Sequence, residues 1–144
     1  MKNRAREAGQ SLAEFGIVIT LFILVTLGIV EFGYDFLAFH LVTQGTSAGA
    51  RAASVLQHNC GQYNTPTDVP AITSIVTGQV GGVATISSVQ VATVNEGACP
   101  VPSGTIPQVT VTVQASVPRM FNGVVGPATF NLTRTETFRD EVVR

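Results

Sequence analysis

Hydrophobic and polar positions divide this chain into two regimes. An apolar stretch extends from Leu12 to Phe32, and its centre, FGIVITLFILVTLGIV from Phe15 to Val30, carries no charge. At 1.5 Å per residue such a stretch covers about 30 Å as a helix, the thickness of a bilayer's hydrocarbon core, which predicts a single membrane span. Past Tyr34 the segment DFLAFHLVTQGTSAGARAASVLQ keeps Phe36, Phe39, Val42, Val55 and Leu56 at broadly helical intervals. That spacing predicts that the helix continues out of the membrane as a stalk. The middle of this segment contains Gly45-x-x-x-Gly49, a spacing that lets helices approach closely. The alternative is a flexible interruption, because each glycine costs a helix about 1 kcal/mol.

The second regime is shorter in period and more polar. Gly61, Asn64 and Pro66 mark a loop from Asn59 to Pro66. TDVPAITSIVTGQVGG then predicts a short second helix with Val69, Ile72, Ile75, Val76 and Val80 on one side, ended by Gly81-Gly82. Thr85 to Val94 is a strand with imperfect alternation. Val109, Val111, Val113, Ala115 and Val117 alternate strictly with Thr, Gln and Ser, the clearest strand in the chain. A third strand, Thr129 to Phe138, alternates around Phe130, Leu132 and Phe138, with Arg134 and Glu136 in the same register, as at an exposed end or edge. The fold class is therefore α+β: a long N-terminal transmembrane helix continuing into a stalk, and a small head of one short helix and an antiparallel sheet of three or more strands. The expected organisation is a basic leader at 1–9, the transmembrane helix at 10–33, the stalk at 34–58 and an extracytoplasmic head at 59–144.

Charge sets the orientation and removes one class of partner. Lys2, Arg4 and Arg6 precede the span against one acid, Glu7, whereas Glu31 and Asp35 follow it before any further cation. A net-positive flank stays cytoplasmic, so the N-terminus is cytoplasmic and the head faces outward, with Phe32, Tyr34, Phe36 and Phe39 where an aromatic belt would meet membrane lipid. Charged residues are 12% of the chain and the formal net charge is -1, with no basic field to gather phosphates, so nucleic acid is not expected as a partner. A cleaved secretory signal would need a small-residue site soon after its apolar core. The first such triplet, Ala48-Gly49-Ala50, lies far past Val30 behind a bulky aromatic stretch.

Glu14 stands out, because a carboxylate beside an apolar span costs free energy and calls for a partner or a task. The simpler alternative is that it snorkels into water at the headgroup boundary. The spacing from Gly9 favours a task. A cut after Gly9 would make Gln10 the first residue and Glu14 the fifth, and the freed α-amine would lie about one helical turn from the carboxylate. The two would pair within one chain or between staggered neighbours.

A glycine after a basic leader, cut so that a glutamate falls at position five of an apolar helix, resembles the processing site of type IV pilins and pseudopilins. The Gln at position 10 and the short leader depart from the commoner pilins and look more like the tight-adherence (Flp-type) branch, in particular its TadE-like minor pilins. The resemblance is carried by SLAEF from Ser11, GIVEFG from Gly28 to Gly33 and AGARAA from Ala48 to Ala53, with Gly9, Gln10 and Glu14 at the processing site. It implies cleavage after Gly9 by a prepilin peptidase of the bacterial inner membrane. It further implies partnership with other pilin and minor pilin subunits and with the inner-membrane assembly machinery of a pilus used in surface attachment. The competing reading is an unprocessed, single-pass anchored binding domain.

Cys60 and Cys99 both follow the span and share one compartment. If that compartment is oxidising, a single disulfide is expected, and closing a loop of about forty residues would add on the order of 4 kcal/mol in the chain-entropy model. The alternative is two buried free thiols. His58-x-Cys60 is too sparse for a metal site, which needs three or four convergent ligands. Walker and nucleophile-elbow motifs are absent, as is a carboxylate cluster in the head, so neither an enzyme nor a cofactor is expected.

Overall fold

A computed structural model describes the backbone of residues 2–56, 68–94, 106–121 and 127–140, and side chains from Gln10 onward. Helix α1 runs unbroken over Lys2–Val55, 54 residues and about 80 Å at the α-helical rise. No proline interrupts it. Helix α2 covers Asp68–Val80, followed by strands β1 (Thr85–Val94), β2 (Gln108–Pro118) and β3 (Thr129–Arg139). All three strands lie within a residue of the bounds expected from alternation. Cys60, Cys99 and the 59–66 loop lie outside the described residues.

Asp68 in the first turn of α2 complements the positive end of the helix dipole, and Pro70 sits where its missing N–H costs nothing. The helix ends where Gly81 and Gly82 take φ of 62° and 82°, a conformation that a side chain would strain. The strands then form one antiparallel sheet in the order β1-β2-β3. Its register sets Val113 between Val89 and Arg134, with a bulge between Ile86 and Ser88. The three charged residues of β3, Arg134, Glu136 and Arg139, thus lie on an edge strand.

One face of this sheet is covered by helix. Val109, Val111, Val113 and Val117 of β2 are fully buried against Ile72, Val76 and Val80 of α2 and Ala38, Val42, Ala50 and Ala53 of α1. The other face is polar, with Thr110 and Thr112 in hydroxyl contact with Thr137 and Thr135 at 3.0 and 3.1 Å. Helix α1 crosses β2 and β3 while α2 covers β1. The second half of α1, expected as a stalk, is therefore the backing of the head over most of its length.

Of the residues the apolar spacing suggests, Val42 is fully buried on that packing face and Leu56 partly so, but the others are not. Phe36 and Val55 are exposed, as in part is Phe39, and the small residues carry the contact. A Cβ at Gly49 would stand 2.7 Å from Cγ2 of Val76, and one at Gly45 would stand 3.1 Å from the Val76 carbonyl oxygen. The Gly45-x-x-x-Gly49 pair thus brings α1 and α2 into close contact and does not interrupt the helix.

Candidate functional site: the exposed half of the long helix and its junction with the head

From Gln10 to Val30 helix α1 touches little else in the chain. Among the described residues this is the one helix long and apolar enough to cross a membrane, and only 6% of its most apolar window is buried. A core helix of a soluble domain would be mostly covered. Leu12, Phe15, Ile17, Leu21, Phe22 and Ile29 are all more than 60% exposed, which leaves lipid as the natural solvent of this surface. Its two threonines satisfy themselves: Thr20 donates to the carbonyl of Gly16 and Thr26 to that of Phe22, each at 2.8 Å. Such back-bonding removes the cost of a hydroxyl in hydrocarbon. The segment fits a single-pass membrane anchor.

Gly9, Gln10 and Glu14 lie on this helix in its first turns. The side-chain amide of Gln10 donates to Oε1 of Glu14 at 3.1 Å, both groups exposed. Residues 10 and 14 therefore share a face and reach each other without strain. The backbone nitrogen of Gln10 here belongs to an intact peptide bond. Chemically the arrangement is a surface carboxylate with a neutral partner one turn before it, in place to accept a second, charged donor.

Where the helix meets the head, three consecutive-turn residues reach across. Glu31 is 2% exposed, and its Oε2 accepts the backbone N–H of Phe121 at 3.2 Å, while Oε1 is buried with no hydrogen-bond partner among the described residues. Tyr34 donates its hydroxyl to the carbonyl of Val83, just after α2, at 3.2 Å. Asp35 pairs with Arg119 at 3.5 Å, each side chain about one-fifth exposed. Higher on the helix the Arg134 guanidinium lies 3.8 Å over the ring of Phe39, tying β3 to α1.

The charge pattern had placed Glu31 and Asp35 simply on the outer side of the membrane. The structure gives them a docking role, with Tyr34 between them. The sequence did hold a signal for it: Glu31, Tyr34 and Asp35 are spaced i, i+3, i+4 and so share one helix face, opposite the exposed Phe32 and Phe36. What it could not supply was the partner, since Phe121 and Arg119 lie some ninety residues away. Among the described residues no group of three or more His, Cys, Asp or Glu side chains is placed to hold a metal ion.

Comparison with known proteins bears on the N-terminal part. Residues 9–51 match the family described as TadE-like protein, which supports a TadE-like protein of the tight-adherence pilus system. No curated protein and no solved structure matches the chain. The matched segment takes in Gly9, Gln10, Glu14, the exposed span, the docking residues Glu31 to Asp35 and the Gly45/Gly49 contact.

Proposed function

We propose that this chain, TadE-like over residues 9–51, is a minor pilin or pseudopilin, cut after Gly9 by a prepilin peptidase and used in assembling a tight-adherence pilus. The observation that carries the reading is the Gln10–Glu14 contact at 3.1 Å. Because the two residues already share an exposed face, cleavage would put a cationic amine, with a reference pKa of about 7.7 to 8.0, within a turn of the carboxylate. A chain still embedded in lipid would gain a charge partner for Glu14, either its own new terminus or that of a staggered neighbour. The span then works as an assembly element as well as an anchor.

In this reading the N-terminus begins in the cytoplasm and the head lies outside the inner membrane, as the basic flank favours. The work is mechanical and not catalytic. Partners are the peptidase, other pilin and minor pilin subunits, the assembly machinery of the inner membrane and lipid. Mass spectrometry of the N-terminal peptide from native membranes tests it. Gln10 as the first residue is the expected result, and an intact Met1 as the dominant form would overturn the reading in favour of a plain anchored domain.

A further inference from the structure

The docking contacts fix which end of the head faces the span. β2 runs toward it and ends at Pro118, and the turn that follows is held to Glu31 and Asp35. α2 also runs toward it, antiparallel to α1, since Ile72 faces Gly49 while Val80 faces Gly45, and Val83 beyond its end is held by Tyr34. The antiparallel register puts Thr85 and Thr129, opposite Ser116 and Pro118, at the same end. This edge therefore sits at the level of residues 31–35 of α1. From Leu12 to Glu31 the helix covers about 30 Å, the whole hydrocarbon thickness. The edge of the head consequently lies at the membrane surface.

Its composition fits that position. Met120, at the tip of the turn, is 61% exposed, and Phe130 at the start of β3 is 36% exposed. At the same level of α1 stand Phe32 and Phe36, on the far side of the helix from Glu31, and they are more exposed still. The charges of this edge among the described residues are Glu31, buried in the head, and the Asp35–Arg119 pair, so no exposed carboxylate opposes contact with lipid.

We propose that the head is a second membrane contact: its lower edge, tipped by Met120 and Phe130, rests in the headgroup region of the same bilayer that α1 crosses. The occupant is lipid, because this edge sits at the level of α1 where the exposed apolar span ends, and the span's length sets its depth. Burial of Glu31 moves the boundary of exposed apolar surface past residue 31, and a modest tilt or the interfacial layer accommodates the extra turn. Before assembly the head would lie on the membrane with its polar threonine face turned sideways or outward.

This inference rests on α1 spanning the membrane, and one experiment separates the two claims. The chain has no tryptophan, so single-tryptophan variants of the full protein report one site each. Met120→Trp, Phe130→Trp, Phe22→Trp in the span and Gln114→Trp on the polar sheet face would be reconstituted in phosphatidylethanolamine/phosphatidylglycerol vesicles carrying shallow or deep spin-labelled lipid. The expected result is blue-shifted emission at positions 120 and 130, quenched more by the shallow label than by the deep one and protected from acrylamide, with position 114 open to acrylamide. Deep-label quenching at position 22 establishes the span. Loss of lipid quenching at both 120 and 130 while position 22 keeps it would overturn the docking alone, whether the two sites are open to acrylamide or shielded by a second protein chain. Loss at position 22 would overturn the span and the docking with it. Far-UV circular dichroism of each variant checks that the strands are intact, and two independent edge positions guard against failure of one substitution.

Discussion

Replacing Gly49 by alanine adds one methyl group where α1 and α2 touch, and the geometry sets the outcome. The new Cβ would stand 2.7 Å from Cγ2 of Val76 and 3.3 Å from Cγ2 of Ile72, both fully buried side chains. Carbon atoms pack at about 3.5 to 4.0 Å, so the helices must part by about 1 Å. Val76 cannot swing aside, because a β-branched side chain in a helix has essentially one rotamer. Overpacking of this kind costs about 1–3 kcal/mol, against which alanine returns about 1 kcal/mol of helix propensity over glycine. The net expectation is a destabilisation of about 0–2 kcal/mol for Gly49→Ala. Gly78 on the exposed side of α2 is the control, since a Cβ there meets nothing within 4 Å. Gly78→Ala should stabilise by about 0.5–1 kcal/mol. Urea unfolding of the full chain in mild detergent, followed by amide exchange of β2, compares the two. Adding Val76→Ala to Gly49→Ala removes the opposing methyls, so the double variant should be more stable than the sum of the single effects by on the order of 1 kcal/mol. Equal stabilisation by both glycine replacements, or strict additivity in the double variant, would refute the close-contact argument.

Three further outcomes follow from the same contacts. Glu31→Ala should leave the Phe121 amide without an acceptor at a cost of about 1–3 kcal/mol, seen as roughly tenfold or greater acceleration of its hydrogen exchange while Val113 in the middle of β2 is unchanged; an unaltered Phe121 rate would remove the docking role. Tyr34→Phe, which deletes only the hydroxyl bonded to the Val83 carbonyl, should cost about 0.5–1.5 kcal/mol in the same unfolding assay, and a change within error would show that this bond contributes nothing. Glu14→Gln should leave cleavage after Gly9 largely intact yet reduce incorporation or piliation, measured by immunoblot of sheared fibres against membranes; normal assembly would count against pairing with an amine.

How much of this was readable from the sequence depends on how far each feature reaches along the chain. The span, the α2 pattern from Val69 to Val80 and the alternation from Val109 to Val117 are local repeats, and burial of one face or immersion in lipid is enough to impose them. The spacing of Gly9, Gln10 and Glu14 is local too, since one helical turn decides which side chains meet. For the same reason the strands fell within a residue of their expected bounds, and the charges of β3 did mark an edge.

Tertiary structure decided which face of α1 the head would use. Apolar spacing pointed to Phe36, Phe39, Val42, Val55 and Leu56; of these Val42 is fully buried and Leu56 packs partly against the core, while the rest of the buried face is Ala38, Gly45, Thr46, Gly49, Ala50 and Ala53. A helix lying this close to a second helix and a valine-faced sheet gains more from small side chains that admit close packing than from large ones. Hydrophobicity alone cannot distinguish a face packed on protein from a face open to lipid. Glu31 shows the same limit for charge. In sequence it marks the end of an apolar run; in the fold it is one of the most deeply buried carboxylates, because a backbone N–H ninety residues away is brought to within 3.2 Å of it.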